Sequence, residues 1–63
     1  MDKIEYRAAQ AHLKLTEPSM AKLLGCSRRK ASGMANGARI PKLVAKFLRL
    51  VVIMHLTVDD VPE

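Results

Sequence analysis

Sixty-three residues make one domain, near the lower size limit for folding without a disulfide, a structural metal or a partner. A single cysteine, Cys26, excludes an internal disulfide and a cysteine-built zinc site, so the fold must rest on its 49% apolar residues, a high share for so small a body. The net charge is +5, yet no acid occurs between Pro18 and Val58, where Lys22, Arg28, Arg29, Lys30, Arg39, Lys42, Lys46 and Arg49 supply eight cations, the electrostatic footprint of a polyanion binder.

In chain order, Ile4, Ala8, Ala11 and Leu15 recur at helical spacing, and Tyr6, Ala9 and Leu13 widen the stripe, which predicts a first helix from Asp2 to Leu15. The N-terminus lacks the basic-then-apolar layout of a secretion signal, so a soluble intracellular chain, cytoplasmic and of bacterial or viral origin, is expected. Thr16 is a good N-cap, and Glu17 and Pro18 suit a first helical turn, so a second helix is expected from about Glu17 to Leu24, ending at Gly25. Ser27 can cap a third helix from Arg28 to about Ala35, closed by Asn36-Gly37, two residues that tolerate positive φ. Pro41 opens a fourth helix through roughly His55. Thr57 and Asp60 then have the spacing of a capping box, which starts a last short turn. The "LVVIM" run from Leu50 to Met54 also suits a strand, but a lone strand has nothing to pair with. These elements predict an all-α fold, a compact four- to five-helix bundle in one domain spanning 1-63.

Set side by side, the second and third helices bring Met20, Ala21, Leu24, Cys26, Ala31 and Met34 onto the faces that would meet. The connection is tight, and the second member is presented to solvent, the arrangement of a helix-turn-helix over about 17-35. The run "LTEPSMAKLLGCSRRKASGMANGARIP" resembles the helix-turn-helix region of the Cro/C1-type (XRE-like) phage repressors. That family's pattern has a polar cap, alanine and glycine four apart, a capping Ser or Thr, an apolar pair and an "ENG.R.P"-like end; all slots are filled except the acid, which is Ala35 here. The likeness covers about residues 6 to 61. In length and layout the chain is also similar to short regulators of phages and mobile elements, including those that accompany anti-CRISPR genes. A second departure is Lys14, where the family usually has glycine after its first helix, so this helix is expected to end differently or under mild strain.

The resemblance implies a lambda-repressor-like DNA-binding domain with a recognition helix, and helical spacing says what that helix offers. Arg28, Arg29, Ser32, Gly33 and Asn36 cluster on its outer face, with Ala31 and Met34 inward. Arg28 and Arg29 are the expected base readers, since arginine pairs bidentately with guanine, and Ser32 can add a contact. Gly33 offers no side chain and lets the backbone come close. Contacts to phosphate are implied for Thr16, Glu17, Lys22, Ser27, Lys30, Asn36, the Gly37 amide, Arg39 and Lys42, which set register and affinity rather than sequence choice.

The fourth helix, about 42-55, is apolar over more than half its circumference, where covering one small bundle needs a stripe of about 100° or somewhat more. Its run from Leu43 to Leu56 is too short for a bilayer and is broken by Lys46 and Arg49. A twofold mate is therefore expected on Phe47, Leu50, Val51, Ile53, Met54 and Leu56, with Val58 and Val61 of the terminal turn. His12 and His55 lack partners at metal or catalytic spacing, Cys26 reads as a small core residue, and no nucleophile-base pair, carboxylate dyad or phosphate loop can be assembled. The expectation is no enzyme, no cofactor, no metal and no small-molecule ligand, but a homodimeric repressor on a palindromic operator in double-stranded DNA. Two rivals stand beside it: an antitoxin-like module that neutralises a protein partner, and a basic protein that binds nucleic acid without reading sequence. Tyr6 and Phe47 are too few aromatics for single-strand stacking, which counts against the latter.

Overall fold

Each helix starts where a short polar residue or a proline stops the preceding segment. In the computed structural model, which describes residues 1–61, α1 is Lys3–Leu13, α2 Glu17–Leu24, α3 Arg28–Ala35 and α4 Lys42–Ile53, followed by a 3-10 turn at Val58–Asp60. No strand occurs among the described residues, so the strand alternative at Leu50 to Met54 falls away. Asp2 caps α1 by accepting from the Glu5 amide at 2.8 Å, and Ser27 caps α3 by accepting from the Lys30 amide at 3.1 Å. Thr16 occupies the corresponding place before α2 in an extended conformation but makes no side-chain cap; its hydroxyl donates to Ser19 Oγ at 3.2 Å instead. The expected capping box is present around the last turn, with the Thr57 amide donating to Asp60 Oδ2 at 2.9 Å.

All four helices end in one way. The second residue after each turn-off donates its amide five residues back, as in Leu15 to Gln10, Cys26 to Ala21, Ala38 to Gly33 and Leu56 to Val51. The residue before it donates three residues back: Lys14 to Ala11, Gly25 to Lys22, Gly37 to Met34 and His55 to Val52. This paired bonding is the Schellman arrangement, and it needs a positive φ at its hinge. Gly25 (φ 69°) and Gly37 (φ 108°) take it without a steric penalty, whereas Lys14 (φ 57°) and His55 (φ 54°) take it against one. Thus α1 ends in the glycine-like manner despite its lysine, and at Asn36-Gly37 only the glycine is left-handed. The fourth helix closes at Ile53 rather than near His55, because His55 is the hinge of its terminating motif.

The core is built from Tyr6, Ala9 and Leu13 of α1, Met20 of α2, Met34 and Ala35 of α3, and Leu48 and Val51 of α4. The helix α1 packs on α3 and α4, and α2 packs on α3, with Ala21 and Ala31 fully buried. The buried stripe of α1 differs from the expected one. Two residues along a helix is a rotation of about 200°, so Tyr6 and Leu13 lie opposite Ile4, Ala8 and Ala11. The bulkier pair faces inward, leaving Ala8 and Ala11 exposed and Ile4 72% exposed. A fully buried Leu48, Met20 or Met34 stabilises the fold by roughly 1.5–3 kcal/mol each. Across the α1–α4 seam, Arg49 Nε and Nη2 donate to the two Glu5 carboxylate oxygens at 2.8 and 3.2 Å, the one ion pair among the described residues. The guanidinium holds the Glu5 carboxyl below the usual carboxylate range.

Candidate nucleic-acid interface

The site is built on α3. Its inward positions Ala31, Met34 and Ala35 are spaced by three and one and are almost wholly buried, which fixes the helix by one narrow face. That leaves Arg28, Arg29 and Lys30 exposed in the first turn, with Ser32 and Gly33 partly exposed one turn on. The helix thus gathers Arg28, Arg29 and Ser32 into one outward group. Thr16, Glu17, Lys22, Ser27, Lys30, Asn36, Gly37, Arg39 and Lys42 are all exposed. Lys22 borders a groove with Leu15, Ser19, Leu23 and the acid-bearing terminal turn at Val58 and Asp59.

The electrostatics of α3 run against its own stability. A helix N-terminus carries a partial positive charge, and a cation in the first turn costs on the order of 0.3–1 kcal/mol at low ionic strength. Three successive cations sit there, with no acid in the first turn and no ion pair to any of them among the described residues. The arrangement disfavours the free helix and favours an anion brought to it from outside.

A side chain beside α3 that the sequence pattern did not flag is Arg7. From the exposed side of α1 its Nε donates to the Ala35 carbonyl at 2.7 Å and its Nη2 donates to Asn36 Oδ1 at 3.2 Å. Asn36 Nδ2 in turn donates to the Ser32 carbonyl at 2.9 Å and to Ser32 Oγ at 3.4 Å. A cation thus sits at the C-terminal end of α3, where the helix dipole favours it. The contact spans 28 residues of sequence, so no local signal reveals it. Asn36, expected to face phosphate, has its amide occupied within the protein. Near Gly37 the surface is open: a Cβ there would lie 3.8 Å from Lys3 Cδ, so conformation rather than space requires the glycine.

The residues expected at a twofold interface divide in two. Leu50, Ile53, Met54 and Val58 are exposed at 55, 72, 60 and 39%. Val51, at 1%, is instead a central core residue, because it follows Ala45 and Leu48 at steps of three on the face turned to α1. Phe47, Leu56 and Val61 are partly buried against the core. Leu43, not expected there, is 80% exposed and lines up with Leu50 and Met54 at steps of seven and four, one continuous apolar stripe. The histidines are also neighbours: His12 Nε2 donates to the Leu56 carbonyl at 2.9 Å, and its ring lies 6.4 Å from that of His55.

Compared with protein-family models, curated proteins and solved structures, the chain matches none. Among the described residues no helix is long and apolar enough to cross a membrane.

Proposed function

We propose that this protein is a sequence-specific, homodimeric regulator that binds double-stranded DNA through the helix-turn-helix formed by α2 and α3, repressing transcription from an inverted-repeat operator. The observation that carries this reading is the exposed first turn of α3, where Arg28, Arg29 and Lys30 stand together without acid partners. Arg28 and Arg29 are the base readers, each bidentate contact to guanine contributing about 1–3 kcal/mol of discrimination. Lys30, Arg39 and Lys42 hold phosphate. The resemblance of Thr16 to Pro41 to Cro/C1-type repressors supports the same docking, and the cytoplasm of a bacterial host is where such a regulator works.

Reading both halves of an inverted repeat calls for two copies. The protein measures 26 Å in its longest direction, less than the 34–36 Å between successive half-sites on one face of the duplex. The stripe of Leu43, Leu50 and Met54 with neighbouring Ile53 supplies an apolar surface for a mate, and symmetric dimers are the commonest oligomers.

The test is selection from random duplex DNA at near-physiological salt. The expected product is a palindrome with guanine in each half and half-site centres one helical turn apart, lost in Arg28→Ala and Arg29→Ala. Salt-sensitive binding with no enriched sequence overturns the reading. A stable complex with a different protein through α4, in place of a homodimer, favours an antitoxin-like role.

A further inference from the structure

The helices α1 and α4 run parallel. Two contacts fix this: Arg49 donates to Glu5 and His12 donates to the Leu56 carbonyl, each across 44 residues, with the second contact two helical turns further along both segments. The C-terminal ends of α1 and α4 therefore lie side by side, each carrying roughly half a negative charge from its aligned peptide dipoles. Like ends repel, and a cation placed beside them relieves both. Two imidazoles stand there, His12 in the last turn of α1 and His55 just past the end of α4, with ring centroids 6.4 Å apart. Nε2 of His12 donates to the Leu56 carbonyl at 2.9 Å, which leaves the lone pair of the neutral ring on Nδ1. A backbone carbonyl that fixes the tautomer in this way is the outer support that metal-bound histidines have. His55 holds the left-handed hinge after α4 at φ 54°, a place that glycine fills without strain, and its side chain is exposed.

We infer that His12 and His55 form a two-histidine site for a divalent transition-metal ion, which clips the C-terminal ends of α1 and α4 together. Two imidazoles on one ion, at metal–nitrogen distances of about 2.0–2.1 Å, hold their ring centroids roughly 4.5–5.5 Å apart. A rotation of the exposed His55 side chain closes the difference from 6.4 Å. No group of three metal-binding side chains occurs among the described residues, so water completes the coordination shell. Imidazole suits zinc, nickel and copper, and copper(II) binds tightest in the general order of affinities. The site lies outside α2 and α3, and it stands independently of the DNA-binding reading.

The test titrates the full chain with zinc, nickel or copper(II) alone, followed by calorimetry and, with zinc, by the nitrogen shifts of the two imidazoles. The expected result is one ion per chain, copper(II) tightest, with Nδ1 of His12 and one ring nitrogen of His55 shifting together. His12→Gln, which keeps a donor for the Leu56 carbonyl, and His55→Asn, which tolerates the left-handed hinge, should stay folded by circular dichroism. Each should weaken binding by about tenfold or more, at least what loss of an outer-shell partner costs. Saturating ion should raise the Tm of the wild type and of neither variant. Cys26→Ser should bind as the wild type does, which separates the histidine pair from the thiol. Binding seen only at millimolar ion marks an adventitious ion only and overturns the site. So does a shift confined to one ring, or a single-histidine variant that binds as tightly as the wild type.

Discussion

The tyrosine at the centre of the core is predicted to weaken it. Tyr6 is 0% exposed, and its hydroxyl oxygen is buried with no hydrogen-bond partner among the described residues. Leaving such a group unpaired costs about 1–3 kcal/mol. Tyr6→Phe removes that cost and leaves a gap the size of one oxygen, so the expected net gain is about 1 kcal/mol. For a domain of this size that raises Tm by roughly 4–8 °C. Urea melts check it: the midpoint should rise while the slope, which tracks exposed surface, stays the same. Burial, aided by Cys26 and Glu17, also raises the Tyr6 pKa above its ordinary value of 10.0. The unfolded chain therefore loses its phenolic proton first, νU falls below νN, and stability declines as the pH rises above about 10. In Tyr6→Phe that decline should be shallower by up to about 1.4 kcal/mol per pH unit. A substitution that instead costs 1 kcal/mol or more refutes the reasoning, since the hydroxyl would then have a partner worth more than its desolvation.

Lys14→Gly and His55→Gly should each be neutral or stabilising by up to about 1 kcal/mol, because both residues hold a positive φ that disfavours a side chain by about 1–2 kcal/mol; a clear loss in denaturant melts would contradict the left-handed assignment. Gly33→Ala should stabilise α3 by about 0.5–1 kcal/mol, as the new methyl would meet Ala38 Cβ at an ordinary 3.5 Å. If DNA affinity then drops while stability rises, the bare backbone at Gly33 approaches the duplex. Val51→Ala should cost about 2 kcal/mol of stability, and Ile53→Ser less than about 0.5 kcal/mol while weakening dimerisation in sedimentation; a reversed pattern would mean that α4 is turned differently.

What was legible in the sequence were features encoded within a few residues. The bounds of α2 and α3 follow from Pro18, Gly25 and Ser27, each of which acts on its own turn. The unbroken run of cations is likewise local, and α3 needs only Ala31 and Met34 to decide which side faces in. The buried face of α1 was not legible, because its two opposite faces carry similar apolar content until Tyr6 and Leu13 are packed against Leu48 and Val51. On α4 the difficulty is greater: apolar residues occur all round, so periodicity cannot tell Val51 from Leu50. The hinge at His55 carries no glycine to mark it. Arg7 acts across 28 residues, and its partner at Ala35 is a backbone carbonyl that any residue would provide.

The two ends of α3 are held by opposite logic, and the difference bears on how the helix can work. At its C-terminal end, Arg7 accompanies the dipole, bonds the Ala35 carbonyl and Asn36, and ties the helix to α1. At its N-terminal end, Ser27 supplies one cap while three cations oppose the dipole. A helix optimised only for folding would carry acids in that first turn. The stabilising contacts are concentrated where the helix meets the body, and the unfavourable charge where it meets solvent. Neutralising Arg28 or Arg29 should consequently leave the fold as stable or more so while weakening association with a polyanion, a sign that a purely structural role for these arginines would not produce. The same division leaves the N-terminal end of the helix held by the Ser27 cap alone among side-chain contacts, and ties its far end to α1 through Arg7.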